Sequence, residues 1–361
     1  MIEIIQRNFC VHLLENIPLA PLTTFKIGGS ARYFVEAQSI ADVEEAVSFA
    51  RSRDLPLFVL GGGSNLLIAD EGWPGLVLRI AIAGIEQASS RDQDGKIHFE
   101  VGAGESWDKF VSHAVLAHCA GVECLSGIPG SVGGTPVQNV GAYGQEVSET
   151  ISSVQVLDLK DGQVRELCNE ACAFRYRASI FNTTERGRFI VLRVTYALIP
   201  EGKPRITYAD LKRQFEDRGT SPTLAEAREA VRHIRALKGM LIVPGDPDCQ
   251  SAGSFFKNPV LSEEQHNDLK LRATARGLTV PSYPALETNK KVSAAWLVEH
   301  SGFAKGYNSD QAGISSKHAL AIVNRGGATA ADVINLKEQI QNRVQEIWGI
   351  WLDPEPVMVG F

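Results

Sequence analysis

Two glycine-dense stretches constrain this chain more than any other feature. The longer, GIPGSVGGTPVQNVGAYG at 127–144, carries six glycines in eighteen residues. The shorter, LGGGSN at 60–65, follows directly on the apolar strand candidate LFVL. Without a Cβ, glycine adopts positive φ freely and lets backbone approach a ligand closely, and consecutive amides in such turns form anion-binding concavities. A pyrophosphate is the natural occupant, although either loop alone also reads as a set of tight turns. The first loop is not a Rossmann fingerprint. A GxGxxG motif must open a helix, whereas LLIADEGWPGLVLRI reads as loop and strand, and no Walker lysine is present.

The elements around the loops alternate. ARYFVEA (31–37) has strand periodicity, and in 41–53 Val43, Ala46, Val47 and Ala50 share one helical face. KIHFEV (96–101) predicts a strand and 106–118 a helix begun by Ser106. ISSVQVLDL, QVRELC and FIVLRVTYALI predict further strands, with a DG turn between the first two. A helix at 223–238 precedes the Pro/Gly/Asp-rich run MLIVPGDPDCQ, which marks a domain boundary. Beyond it lie helix candidates at 261–276 and 329–347, the strand ALAIVN, and a terminal strand in GIWLDPEPVMVGF. The fold class is α+β. Its divisions are an N-terminal extension (1–20), a first domain with its connector (21–242), a second α+β unit (243–347) and a return strand (348–361).

The net charge of −6 comes without a basic block, which disfavours nucleic acid or an anionic membrane as partner. The first twenty residues lack the basic and apolar regions of a signal peptide, and no run approaches the roughly 18 apolar residues of a membrane span. Six scattered cysteines without a CxxC read as reduced thiols, and Cys168 with Cys172 has no histidine pair to complete a metal site. A cytoplasmic, metal-free monomer is the expectation.

Three residues stand out chemically. Ser254 lies in SAGSFFKNP, which is not the GxSxG elbow of a hydrolase, so acyl-enzyme chemistry is disfavoured; alone it reads as a loop serine capping a turn. Arg175, Arg177 and Ser179 alternate in FRYRASIF, as on one face of a strand, where arginines are often solvated. Glu355, between Pro354 and Pro356, projects from a stiff extended segment and reads equally as an edge-strand glutamate.

TTFKIGG (23–29), LGGGSNLL (60–67), the 127–144 loop, FRYRASIF (174–181), SAGSFFKNP (251–259) and DPEP (353–356) occur in that order. Together they resemble the UDP-N-acetylenolpyruvoylglucosamine reductase family over nearly the whole chain. The resemblance implies an FAD-binding domain of the vanillyl-alcohol-oxidase (PCMH) type, with two subdomains, over 21–242. It makes 243–347 the substrate-binding domain and 348–361 the strand carrying a catalytic glutamate. FAD is then held non-covalently by Gly61, Gly62, Gly63, Ser64, Asn65 and Leu66 from the first loop. The second loop adds Ile128, Pro129, Gly130, Val132, Gly133, Gly134, Gln138, Asn139, Gly141, Ala142 and Tyr143. Some relatives of the wider fold carry a flavin-linked histidine near the position of Ser64, and its absence favours the non-covalent form.

The implied reaction is NADPH-dependent reduction, through FAD, of an enolpyruvyl ether on a UDP-sugar to a lactyl ether. A carbanion and its carboxylate carry negative charge along the way, so the chemistry asks for a cationic clamp and a positioned acid. By the resemblance Ser254 donates the proton, Arg177 faces the carboxylate, and Glu355 stands opposite the serine. Tyr208 and Lys238 contact the diphosphate and Asn258 the substrate. A different FAD-dependent oxidase or reductase on the same scaffold keeps the loops without needing the trio. A non-catalytic nucleotide-sugar binding protein would be colourless and inert to NADPH.

Overall fold

Local patterning carries into the structure almost element for element. Ser30–Ala37 is a strand, and Ile40–Ser52 is a helix that buries Val43, Ala46, Val47, Phe49 and Ala50. Ser39 begins that helix with a reciprocal box: its hydroxyl accepts from the Asp42 amide and the Asp42 carboxylate accepts from the Ser39 amide. Such a cap is worth roughly 1 kcal/mol. The computed structural model describes residues 11–216, 218–285 and 288–361. The expectations for residues 1–10, Cys10 included, lie outside the described residues.

The chain divides into two compact units, each assembled from separated segments. The first takes the described residues up to Ile17 with Ala31–Gly63 and Pro74–Leu237. Its four-stranded sheet has the order Leu14–Pro18, Ser30–Ala37, Trp73–Ile80, Leu57–Leu60, and the last two strands are parallel. The strand Leu14–Pro18 therefore falls within the stretch read as an N-terminal extension. A second, antiparallel sheet runs Gln163–Cys168, Ile151–Asp158, Phe189–Pro200, Ile97–Gly102, Ile85–Gln87. The helix Trp107–Leu116 packs Trp107 and Phe110 against Tyr196 of the long strand, at ring distances of 5.7 and 4.7 Å. The helix Leu224–Leu237 closes the unit through ion pairs as well as apolar contact. Arg228 grips both oxygens of Asp108 at 2.6 and 2.9 Å, and Arg232 adds a third bond at 2.7 Å.

The second unit gathers Pro18–Ser30, Ser64–Trp73 and Lys238–Phe361. The first two segments are neighbours in sequence of the glycine-loop domain, yet their side chains complete this core. Phe25, Ile27 and Leu67 are buried with Phe255, Trp296 and Trp348. Asp70 fixes the recruitment further, because its carboxylate accepts from the amides of Ala330 and Ala331 at 2.8 and 3.1 Å. Those amides open the helix Ala330–Trp348, where an anion is favoured. The C-terminal segment Val357–Val359 does return as a strand and pairs in parallel with Leu66–Ile68.

Among the described residues no helix is long and apolar enough to cross a membrane, and no three His, Cys, Asp or Glu side chains gather as a metal requires.

Candidate functional site

In the first unit the two glycine loops meet backbone to backbone. A Cβ on Gly62 would lie 2.5 Å from the Gly130 Cα and 2.7 Å from the Ser131 nitrogen, so no side chain fits at this crossing. A Cβ on Gly61 would lie 2.8 Å from the Ser131 Oγ. Gly63 and Gly130 have φ of +64° and +127°, values that only glycine takes without strain. Ser131 is buried, and its hydroxyl has no hydrogen-bond partner. A buried hydroxyl left unsatisfied costs about 1–3 kcal/mol, unless a ligand completes it. A crossing stripped of side chains and lined by an orphaned donor fits the pyrophosphate of a dinucleotide. Further along the loop the amides of Val132, Gly133 and Gly134 donate to Glu105, Ala103 and Ser131 carbonyls, so those three residues shape the turn. Nothing in the sequence distinguished Ser131 from its glycine neighbours.

The end of the second loop is a tight hairpin. Gly141–Ala142 pairs with Gln145–Glu146, and the two residues between, Tyr143 and Gly144, have φ of +50° and +86°. A non-glycine residue in this conformation costs roughly 1–2 kcal/mol, which its surroundings must offset. The Tyr143 ring meets Tyr208 edge-on at 5.4 Å, and Tyr143 hydrogen-bonds the buried Arg235. Arg235 in turn donates from Nε to the Gly127 carbonyl at 3.1 Å, and the Gly127 amide donates to Asp108 at 2.6 Å. Burial pushes the Asp108 carboxyl up, but Arg228, the Gly127 amide and Arg232 together hold it below the usual aspartate range. The loop is thus braced at both ends.

The strand expected for FRYRASIF is not formed. Arg175 and Ala178 exchange backbone bonds of 2.8 and 3.1 Å across a two-residue turn, with Arg177 at φ +54°. Period-two alternation failed here because the turn reverses the chain within four residues. Arg175 is exposed and Arg177 partly buried. The Arg177 guanidinium donates from Nη1 to the Gly141 carbonyl at 3.0 Å, which ties it to the hairpin. Asn139 braces the same corner: its amide donates to Glu146 at 2.7 Å and to the Arg175 carbonyl at 3.1 Å, and its oxygen accepts from the Ser148 amide.

In the second unit the backbone segments that carry Ser254 and Glu355 pair with each other. The Glu355 amide donates to the Phe255 carbonyl at 2.8 Å, the Lys257 amide donates to the Asp353 carbonyl at 2.9 Å, and Phe256 bridges Pro354. Asn65 lies beside them: its Nδ2 donates to the Glu355 carbonyl at 3.2 Å, and its own carbonyl accepts from Val357 at 2.9 Å. The Asn258 Oδ1 accepts from the Ala294 amide at 2.9 Å, at the start of the helix Ala294–Glu299. The residue that sequence reasoning missed is His318. Its Nε2 lies 3.3 Å from the Ser254 Oγ, across 64 positions of chain. Burial, then the charges of Lys238 and Lys305, push the His318 imidazole down to about 4, so it is neutral at physiological pH.

Comparisons with known proteins point to one family. Residues 246–359 match the family model described as UDP-N-acetylenolpyruvoylglucosamine reductase, C-terminal domain, and residues 31–167 match an FAD binding domain. A UDP-N-acetylenolpyruvoylglucosamine reductase of Thermobifida fusca is 44% identical over 354 residues, covering 96% of this chain and 98% of that protein. One from Streptomyces coelicolor is 45% identical and covers 97% of this chain and 91% of that protein. The crystal structure of UDP-N-acetylenolpyruvylglucosamine reductase from Thermus caldophilus superposes with a TM-score of 0.64 at 27% identity, covering 97% and 98% of the two chains.

Proposed function

This chain belongs to the UDP-N-acetylenolpyruvoylglucosamine reductase family, and on that premise we propose that Ser254, Arg177 and Glu355 carry the chemistry of its reaction. The activity is NADPH-dependent reduction of enolpyruvyl-UDP-N-acetylglucosamine to UDP-N-acetylmuramate, a step of peptidoglycan precursor synthesis. Bound FAD supplies hydride transfer between NADPH and the terminal carbon of the enolpyruvyl double bond.

The chain's own residues must then handle charge and a proton. As the terminal C–H bond forms, negative charge grows on the adjacent carbon and spreads into its carboxylate. Arg177 suits that carboxylate, because a planar guanidinium offers paired donors to a planar acceptor. Its anchor on Gly141 holds the side chain before substrate arrives. Glu355 polarises the same carboxylate together with the arginine. Ser254 gives its hydroxyl proton to the carbanion carbon. A serine is a weak acid, so it serves only against a strongly basic acceptor and with its oxygen stabilised. The observation that carries the reading is the pairing of 255–257 with 353–355, which holds serine and glutamate on adjoining backbone.

Tyr208, against Tyr143, and Lys238, beside His318, contact the diphosphate in this reading, and Asn258 contacts the sugar nucleotide. Residues 21–242 serve FAD, residues 243–347 serve substrate, and 348–361 deliver the glutamate. The enzyme works as a cytoplasmic monomer.

Anaerobic stopped-flow on the two half-reactions tests the role of Ser254. Ser254→Ala should leave flavin reduction by NADPH near the wild-type rate. Reoxidation by the enolpyruvyl substrate should slow by roughly 10²–10⁴-fold, the usual worth of a positioned acid. Equal slowing of both halves makes Ser254 structural, and no slowing removes it from the mechanism.

A further inference from the structure

The assignment of Ser254 as proton donor leaves its 3.3 Å contact with His318 unexplained. A serine that gives its proton to carbon cannot at the same moment give it to an imidazole. At this contact the histidine must therefore be the donor, which requires a hydrogen on Nε2. In a serine hydrolase the same pair of atoms works in the opposite sense, with the imidazole accepting.

We propose that His318 is a positioning residue for proton delivery: its Nε2–H donates to the Ser254 Oγ, turns the serine hydrogen away from the imidazole, and stabilises the oxygen as that hydrogen leaves. The inference rests on the reading of Ser254 as donor. The serine O–H bond breaks and a C–H bond forms on the substrate. The oxygen keeps the electron pair, is held by the Nε2–H, and regains a proton from solvent once product departs. A neutral, weakly basic imidazole suits this task, because it neither strips the serine proton nor brings a second cation. Lys238 and Lys305 oppose its protonation.

The surroundings hold His318 for this role. Ser315 Oγ accepts from the amides of Lys317 and His318 at 3.0 and 3.3 Å. Asp248 accepts from the Ser316 amide at 2.9 Å and from its hydroxyl at 2.6 Å, and Asp246 pairs with Lys317. The segment 239–250 thereby clamps 315–318, so the Pro/Gly/Asp-rich run that marks a domain boundary in the sequence also buttresses the segment carrying the imidazole.

The test uses holoenzyme and four forms: His318→Ala, His318→Gln, Ser254→Ala and the Ser254→Ala/His318→Ala double variant. Flavin reduction by NADPH should be unchanged by His318→Ala, while reoxidation by substrate should slow roughly 10- to 100-fold, less than for a short oxyanion donor because the bond is long. Glutamine keeps an N–H donor and should recover most of the loss. In the double variant the histidine should add nothing, since its only route is through the serine hydroxyl. Nitrogen NMR of histidine-labelled holoenzyme should show His318 neutral with its hydrogen on Nε2, a readout that stands even if His318→Ala loses FAD. A hydrogen on Nδ1, a glutamine variant as slow as alanine with FAD and substrate bound normally, or losses that multiply in the double variant would each overturn the proposal. If Ser254→Ala itself leaves reoxidation untouched, the fault lies in the serine assignment. If Ser254→Ala slows that step and His318→Ala does not, only the histidine proposal fails.

Discussion

Gly62→Ala is the smallest change that tests whether the crossing of the glycine loops is the cofactor cradle. The added methyl would lie 2.5, 2.6 and 2.7 Å from the Gly130 Cα, the Gly130 carbonyl carbon and the Ser131 nitrogen. All three are backbone atoms, so no rotamer change relieves the overlap. Ordinary contact between such atoms is about 3.5–4.0 Å, and the loops must therefore separate by about 1 Å. Forcing an extra methyl into packed backbone costs about 1–3 kcal/mol. The free protein can shed part of that by letting the loops part, because Gly62 itself is solvent-exposed. If the crossing is the cradle, the FAD-bound form cannot, because the pyrophosphate would need both loops closed on it. The cost therefore falls mainly on affinity, and FAD should dissociate roughly 10- to 100-fold more readily, at about 1.4 kcal/mol per tenfold. Titration of the deflavinated variant with FAD, followed by flavin fluorescence, measures this. Gly219→Ala is the control, being exposed with nothing within 4 Å of its would-be Cβ. If Gly62→Ala binds FAD like wild type and melts at the same temperature, the two loops do not form the cradle.

Two other substitutions probe the same unit. Ser131→Ala removes a buried hydroxyl that has no partner in the free protein, so melting of the deflavinated form should not fall. FAD affinity should weaken by about 0.5–1.5 kcal/mol, the net worth of one hydrogen bond, and a drop in apo-protein stability without loss of affinity would contradict this. Arg177→Lys keeps the charge but loses the planar fork, so turnover of the enolpyruvyl substrate should drop at least roughly tenfold. Wild-type turnover in a steady-state NADPH assay would return Arg177 to a structural role at the hairpin.

The sequence by itself determined what depends on near neighbours in the chain. The helix Ile40–Ser52 was legible because Ser39, Asp42 and the spacing of Val43, Ala46, Val47 and Ala50 all act within a few turns. The glycine loops were legible for the same reason, since the absence of a Cβ is a property of each residue wherever it sits. The motif series was sufficient to indicate the family and its FAD and UDP-sugar chemistry. Alternation misled at FRYRASIF, where a reversal between Arg175 and Ala178 gives the same spacing as a strand.

Tertiary structure alone decided which distant residues meet. Segments 18–30 and 64–73 joined the C-terminal unit because Phe25, Ile27 and Leu67 find their burial there and Asp70 finds a helix terminus. The Ser131 hydroxyl became conspicuous only once packing had removed every partner from it. His318 reached Ser254 through a fold that closes 64 residues of chain. No periodicity encodes such a contact, because side-chain spacing reports the face of an element, whereas the partner of that face is selected by the packing of the whole core.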